Sequence, residues 1–152
     1  MKQLKLPPCT LRIKEDTRLI YDRLRRRYVA LTPEEWVRQH FVCYLIEYLG
    51  YPAGLISTEA AFKLHSMLRR ADILVHDRAG EPVMIVECKA PEVKISQKVF
   101  DQIINYNFSY GVSYLVVTNG ISHFAGKIDM EAHTFTLLDH IPDYKTITNF
   151  QS

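Results

Sequence analysis

The sequence predicts an α/β domain, specifically an α/β/α sandwich around a mixed central sheet. Three observations lead there. Two runs, Ala71 to His76 and Val83 to Cys88, are apolar at nearly every position and flank a turn at Ala79-Gly80, the pattern of neighbouring strands covered on both faces. A helical period from about 97 to 109, carried by Val99, Ile103, Tyr106 and Phe108, leads from the second run into a third at Tyr114 to Thr118. Strand, helix, strand at that spacing implies a right-handed parallel crossover. Finally, 152 residues that are 47% hydrophobic and 24% charged suit one globular domain, which can bury roughly 70% of its unfolded surface.

The remaining elements follow in chain order. Leu11 to Lys14 and Arg18 to Asp22 read as short strands around the polar Glu15-Asp16-Thr17, and Tyr28 to Leu31 is a third short apolar run. Thr32-Pro33-Glu34-Glu35 supplies a capping residue, a proline at the first helical position and a glutamate three after the cap, which starts a helix. Val37, Phe41, Tyr44, Leu45 and Tyr48 keep its period to about Leu49, where Gly50 and Pro52 stop it. Residues 56–64 are expected to form an edge strand. After Thr118, Asn119-Gly120 turns the chain into an alternating stretch, His123 to Asp129, followed by an antiparallel strand at Thr134 to Leu138. From Pro142 onward the chain is expected to be loose. The single domain thus divides into basic N-terminal strands (1–30), an α/β core (31–140) and a tail (141–152).

Charge is unevenly spread. The whole chain carries +2, yet residues 1–30 carry +6 and residues 31–152 carry −4. Arg23, Arg25, Arg26 and Arg27 form the densest point, suited either to tracking a phosphate backbone or to guarding a sheet edge. Three cysteines (Cys9, Cys43, Cys88) without a CxxC do not make a disulfide framework. Neither a signal-peptide core nor a membrane-length apolar run occurs, so a reducing cytoplasm is the expected location.

The central hairpin holds the chemistry. A two-residue turn at Ala79-Gly80 sets Asp72 opposite Glu87, with Cβ atoms about 4.5–5.5 Å apart, and Lys89 projects from the same face two residues on. Cys88 points the other way, into the core. Two carboxylates about 5 Å apart repel by roughly 3 kcal/mol at an effective dielectric near 20. Lys89 offsets part of this in a plain salt-bridge cluster, whereas Mg²⁺ (or Mn²⁺) would offset it as a hard cation that needs oxygen ligands and retained waters. In the second case the site suits phosphodiester hydrolysis: the metal lowers the pKa of a bound water, and Lys89 neutralises developing charge.

An acid on one hairpin strand followed by Glu-x-Lys on the next resembles the PD-(D/E)xK nuclease superfamily. Arg70-Ala71-Asp72-Ile73, Val86-Glu87-Cys88-Lys89-Ala90 and Gln102-x-x-x-Tyr106 more closely resemble the N-terminal nuclease domain of the R subunit of type I restriction enzymes, over about Leu31 to Leu138. The resemblance implies a restriction-endonuclease-like fold, Asp72 and Glu87 as metal ligands, Lys89 as the catalytic lysine, and Gln102 and Tyr106 beside the site, supporting cleavage by contacting DNA. That family also carries a glutamate on its first helix. Glu34 is expected to fill this role, since the capping box accounts for Glu35.

Departures bound the reading. No Gly-x-x-x-x-Gly-Lys-[Ser/Thr] occurs, so an ATP-driven motor is excluded. The histidines lack zinc-ligand spacing, and His123 and His133 are expected at the surface. The expected activity is Mg²⁺-dependent cleavage of DNA, with Arg23, Arg25, Arg26, Arg27, Arg70, Lys94 and Lys98 as phosphate contacts, a protein partner supplying any specificity, and a homodimer as one possible assembly. The rival is a catalytically silent nucleic-acid-binding or partner-docking module on the same fold.

Overall fold

The computed structural model describes residues 1–64, 67–108 and 110–149. It contains a small antiparallel sheet of β1 (Ile13–Lys14), β2 (Leu19–Asp22) and β3 (Arg27–Ala30). The main sheet comprises β4 (Ile56–Leu64), β5 (Met67–His76), β6 (Pro82–Cys88), β7 (Tyr114–Thr118), β8 (His123–Asp129) and β9 (Thr134–Leu138), ordered as numbered. All neighbours pair antiparallel except β6 and β7, which are parallel. The crossover between those two carries α2 (Gln97–Phe108); Ser109, the expected helix end, lies outside the described residues.

The two faces of the sheet bury different helices, which makes the sandwich. Val37, Phe41, Val42 and Leu45 of α1 (Pro33–Glu47) pack on Ile73, Val75, Met84, Val86 and Val116. Phe100, Ile103 and Ile104 of α2 pack on Leu74, Ile85, Leu115 and Val117. Alternation along β5, β6 and β7 sorts these residues between the faces, as their apolar runs require. At the N-terminus of α1, the Thr32 hydroxyl accepts the Glu35 N–H at 3.0 Å. At its other end Gly50 adopts φ 74, a left-handed stop that favours glycine. On β8, Gly126 is required by packing: the Phe135 ring lies where a Cβ would stand.

Three expectations are corrected. Residues 143–149 are ordered: Tyr144–Asn149 form a third helix, α3, with Ile147 buried. The Tyr51 hydroxyl donates to Pro142 O at 2.7 Å, and the Tyr144 N–H to Leu49 O at 2.9 Å; such long-range anchors leave no local signature. Cys9 and Cys43 are joined in a disulfide, Cα atoms 6.4 Å apart, which ties an N-terminal strap to α1, while Cys88 is free and buried. The strap also explains His123, which is half-buried with its ring nitrogens 2.6 Å from Thr118 Oγ1 and 2.9 Å from Lys5 O.

Candidate active site

Asp72 lies within β5 between β4 and β6. Its neighbours pair regularly, Ile73 with Val86 on one side and Thr58 with Ile73 and Ala60 with Ala71 on the other. That register places Asp72 level with Glu87 on β6 and with Glu59 on β4. The usual alternation breaks on this row: Ile73 joins the core under α1, but Ala71 joins the core under α2. Glu59 adopts φ 49, a left-handed conformation sterically costly for a residue with a side chain. The Asp72 Oδ2 accepts the Cys88 N–H at 2.8 Å, across to β6.

The expected juxtaposition of Asp72 and Glu87 is present, reached by a different turn. The loop is longer than two residues, closing from Asp77 to Glu81, with His76 paired to Pro82. An irregularity between Val75 and His76 absorbs the extra residue and restores the register of Ile73 with Val86. Glu87 is hydrogen-bonded to Asp72, and its pKa is pushed up to about 7: burial is the largest cause, the Asp72 charge adds to it, and the Lys89 ammonium opposes it. Lys89 follows β6, fixed by its N–H to Thr118 O at 2.8 Å. Cys88 is buried as expected, and burial first, then the nearby Asp72 charge, raise its thiol pKa.

A buried ion-pair network stands behind Asp72. The Arg38 guanidinium of α1 contacts Glu35 Oε1 at 2.9 Å, Glu59 Oε1 at 2.7 Å and Asp72 Oδ1 at 3.1 Å. Glu35 also accepts from Arg25 at 3.1 Å and from Gln39 at 2.9 Å. Arg25 in turn donates to Asp22 at 2.6 Å, and Asp22, fully buried, takes the N–H groups of Leu24 and Arg25 and the Thr58 hydroxyl. The network runs from the β2–β3 turn through α1 to the row of acids on β4, β5 and β6.

This geometry revises the roles expected of several residues. Glu34 is exposed, whereas Glu35 is buried and faces Arg38. The cap uses only the Glu35 backbone N–H, which leaves its side chain for the network. Arg25 is committed to Asp22 and Glu35 and is only 20% exposed; Arg23 is exposed and paired with Glu47. Arg26, Arg27, Arg70, Lys94 and Lys98 are exposed. Gln102 and Tyr106 lie on the face of α2 turned away from Phe100, with Tyr106 56% exposed and its ring edge-on to Tyr110. No motif in the sequence marks Arg38 or Glu59, and Glu35 is marked there for the cap alone. For Arg38 one signal existed, since it lies beside Val37 and one turn before Phe41 and Val42, on the buried side of α1.

The donor set fits a hard divalent cation in part. Asp72 and Glu87 converge through oxygen atoms, and such ions accept one or two carboxylates with waters completing the shell. Counted together, Asp22, Glu35, Glu59, Asp72 and Glu87 outnumber Arg25, Arg38 and Lys89 by two charges when all are ionised. Among the described residues no group of three or more His, Cys, Asp or Glu side chains is gathered as a metal cage. No helix among them is long and apolar enough to cross a membrane.

The fold is a mixed-sheet α/β domain with a row of acids at one level of its central strands. Residues 33–142 match the family described as Type I restriction enzyme R protein N terminus (HSDR_N), and the chain belongs to that family. Among solved structures, a fragment of a protein assigned as an HsdR subunit of a type I restriction enzyme from Vibrio vulnificus YJ016 is similar in fold. Its TM-score is 0.54 at 21% identity, covering 78% of this chain and 25% of that one, so this chain spans about a quarter of that fragment's length. A protein assigned as a nuclease belonging to DUF820 from Anabaena variabilis ATCC 29413 gives a TM-score of 0.48 at 12% identity over 90% of this chain and 87% of that one. No curated protein sequence matches.

Proposed function

We propose that this domain hydrolyses phosphodiester bonds of DNA with the help of Mg²⁺ or Mn²⁺ held by Asp72 and Glu87. The observation that carries the reading is the Asp72–Glu87 pair beside Lys89, in which burial first, and then the Asp72 charge, push the Glu87 pKa up to about 7. When bound, such an ion supplies a water of lowered pKa and neutralises a phosphoryl oxygen. The Lys89 ammonium faces the charge that develops as water oxygen bonds to phosphorus and the ester oxygen leaves. Arg38 and Glu35 fix the Asp72 carboxylate, and Gln102 and Tyr106, on the open face of α2, contact the substrate. The family supports a restriction-enzyme setting with DNA and other subunits, one of which would supply specificity.

The test is titration calorimetry with Mn²⁺ together with plasmid nicking. Binding at millimolar metal and cleavage that disappears in Lys89→Ala are expected; no heat of binding overturns the catalytic reading. A silent DNA-binding or docking module is the second reading. It is favoured by the engagement of both Asp72 oxygens, one by Arg38 and one by the Cys88 N–H, and it predicts a chain that binds DNA without metal uptake.

A further inference from the structure

Cleavage needs a surface that holds a polyanion, yet the arginine cluster expected to do so is partly engaged, Arg25 by Asp22 and Glu35 and Arg23 by Glu47. A second basic surface lies on the outward face of the three-stranded sheet. Ile13 pairs with Ile20 and Ile20 with Val29. Ile20 is fully buried, so this row faces the body and alternation turns Lys14, Tyr21 and Tyr28 outward. Tyr21 pairs with Tyr28, their rings edge-to-face at 5.2 Å. Arg12 lies over the Tyr21 ring at 5.0 Å and Lys14 over the Tyr28 ring at 4.2 Å.

Edge protection does not account for this arrangement. Although Lys14 belongs to the edge strand β1 and Arg12 directly precedes it, they reach across the face onto the Tyr28 and Tyr21 rings, and each is held there, which lowers the side-chain entropy lost when an anion docks. Both hairpin turns also carry an arginine in the left-handed region, Arg18 at φ 53 and Arg26 at φ 56, where glycine or asparagine is sterically cheaper. The turn that carries Arg26 also carries Arg25, and through Glu35 and Arg38 it connects to Asp72.

We infer that the outward face of β1, β2 and β3, with Arg12, Lys14, Tyr21, Tyr28 and the turn residue Arg26, is a platform for the phosphate backbone of duplex DNA leading to the Asp72–Glu87 pair. The tyrosines pack against each other and beneath cations, so they hold the charges in place and offer no open face for base stacking. Phosphates are therefore what the platform reads, and a single strand gains no stacking there beyond a weaker phosphate contribution. The inference rests on the nuclease reading for its choice of DNA.

Fluorescence anisotropy of a labelled duplex, in chelator to prevent cleavage, tests it with the full chain and with the triple variant Arg12→Gln, Lys14→Gln, Arg26→Gln. These exposed substitutions lie outside the catalytic row, and circular dichroism verifies the fold. Weaker binding is expected, with the slope of log K against log salt between about 50 and 200 mM reduced by about 0.9 per lost contact, or about 2.7 for all three. With metal present, the triple variant should need more duplex to reach half-maximal cleavage, whereas Lys89→Ala should abolish cleavage at any duplex concentration. Parental affinity and slope in the triple variant overturn the platform, as does tighter binding of a single strand than of the duplex. A platform effect on binding without Lys89-dependent cleavage overturns the nuclease reading alone.

Discussion

Arg38 of the first helix holds Asp72 of β5 at 3.1 Å while gripping Glu35 and Glu59 with the same guanidinium. Burial alone would weaken its proton affinity, but the three facing carboxylates raise it. Replacing Arg38 by Leu strands these acids without a partner and is expected to destabilise by about 3–5 kcal/mol, read by urea unfolding. Arg38→Lys keeps the charge, but a point ammonium cannot span three carboxylates. It should fold and lose about 10–100-fold in metal affinity or nicking rate, the usual effect of removing a partner that orients a ligand.

Glu87 makes metal-free stability fall with pH. Its carboxyl keeps a proton to about pH 7 when folded against 4.5 as its ordinary value. Between these limits the folded chain binds more protons than the unfolded one, so stability is full below about 4.5 and declines as pH rises through about 7. Unfolding midpoints across this range should show the decline, and Glu87→Gln should flatten it. Added Mn²⁺ should oppose it, because a bound cation requires the carboxylate. A flat parental profile would show Glu87 to be solvated.

Glu34 and Glu35 should separate cleanly. Glu34→Gln changes an exposed side chain and is expected to stay within about 0.5 kcal/mol of the parent. Glu35→Gln removes a buried charge shared by Arg25, Arg38 and Gln39, and should cost several-fold more together with a loss of nicking. Equal effects of the two substitutions would sink the network as the support of Asp72.

What could be read in advance follows the range of the forces involved. Local signals placed α1, α2, β7 and β9 within a residue or two, because caps, glycine stops and periodicity are written in adjacent residues. The level of Asp72 with Glu87 was also legible, although the two-residue turn assumed for it was wrong and the irregularity after Val75 compensated. The capping box hid Glu35: one residue serves two roles, backbone to the cap and side chain to Arg38. The helix at Tyr144–Asn149 was illegible because its anchors, Tyr51 and Leu49, lie about ninety residues away in the chain.

Gly126 is a packing requirement that substitution should expose. A methyl there collides with the Phe135 ring, which is itself wedged against Phe100 at 5.6 Å. Gly126→Ala is expected to destabilise by about 1–3 kcal/mol, as overpacking does, measured by thermal melting. Adding Phe135→Leu should recover part of that loss, and strict additivity would mean the two sites do not touch.

The bond between Cys9 and Cys43 spans 34 residues and encloses the whole three-stranded sheet together with most of α1. A single backbone cut at the exposed β1–β2 turn, between Glu15 and Arg18, therefore leaves two fragments still joined. Such a nicked chain would migrate as one species until a thiol is added, and the side of the fold bearing Glu35 and Arg38 stays leashed to the basic sheet even after proteolysis.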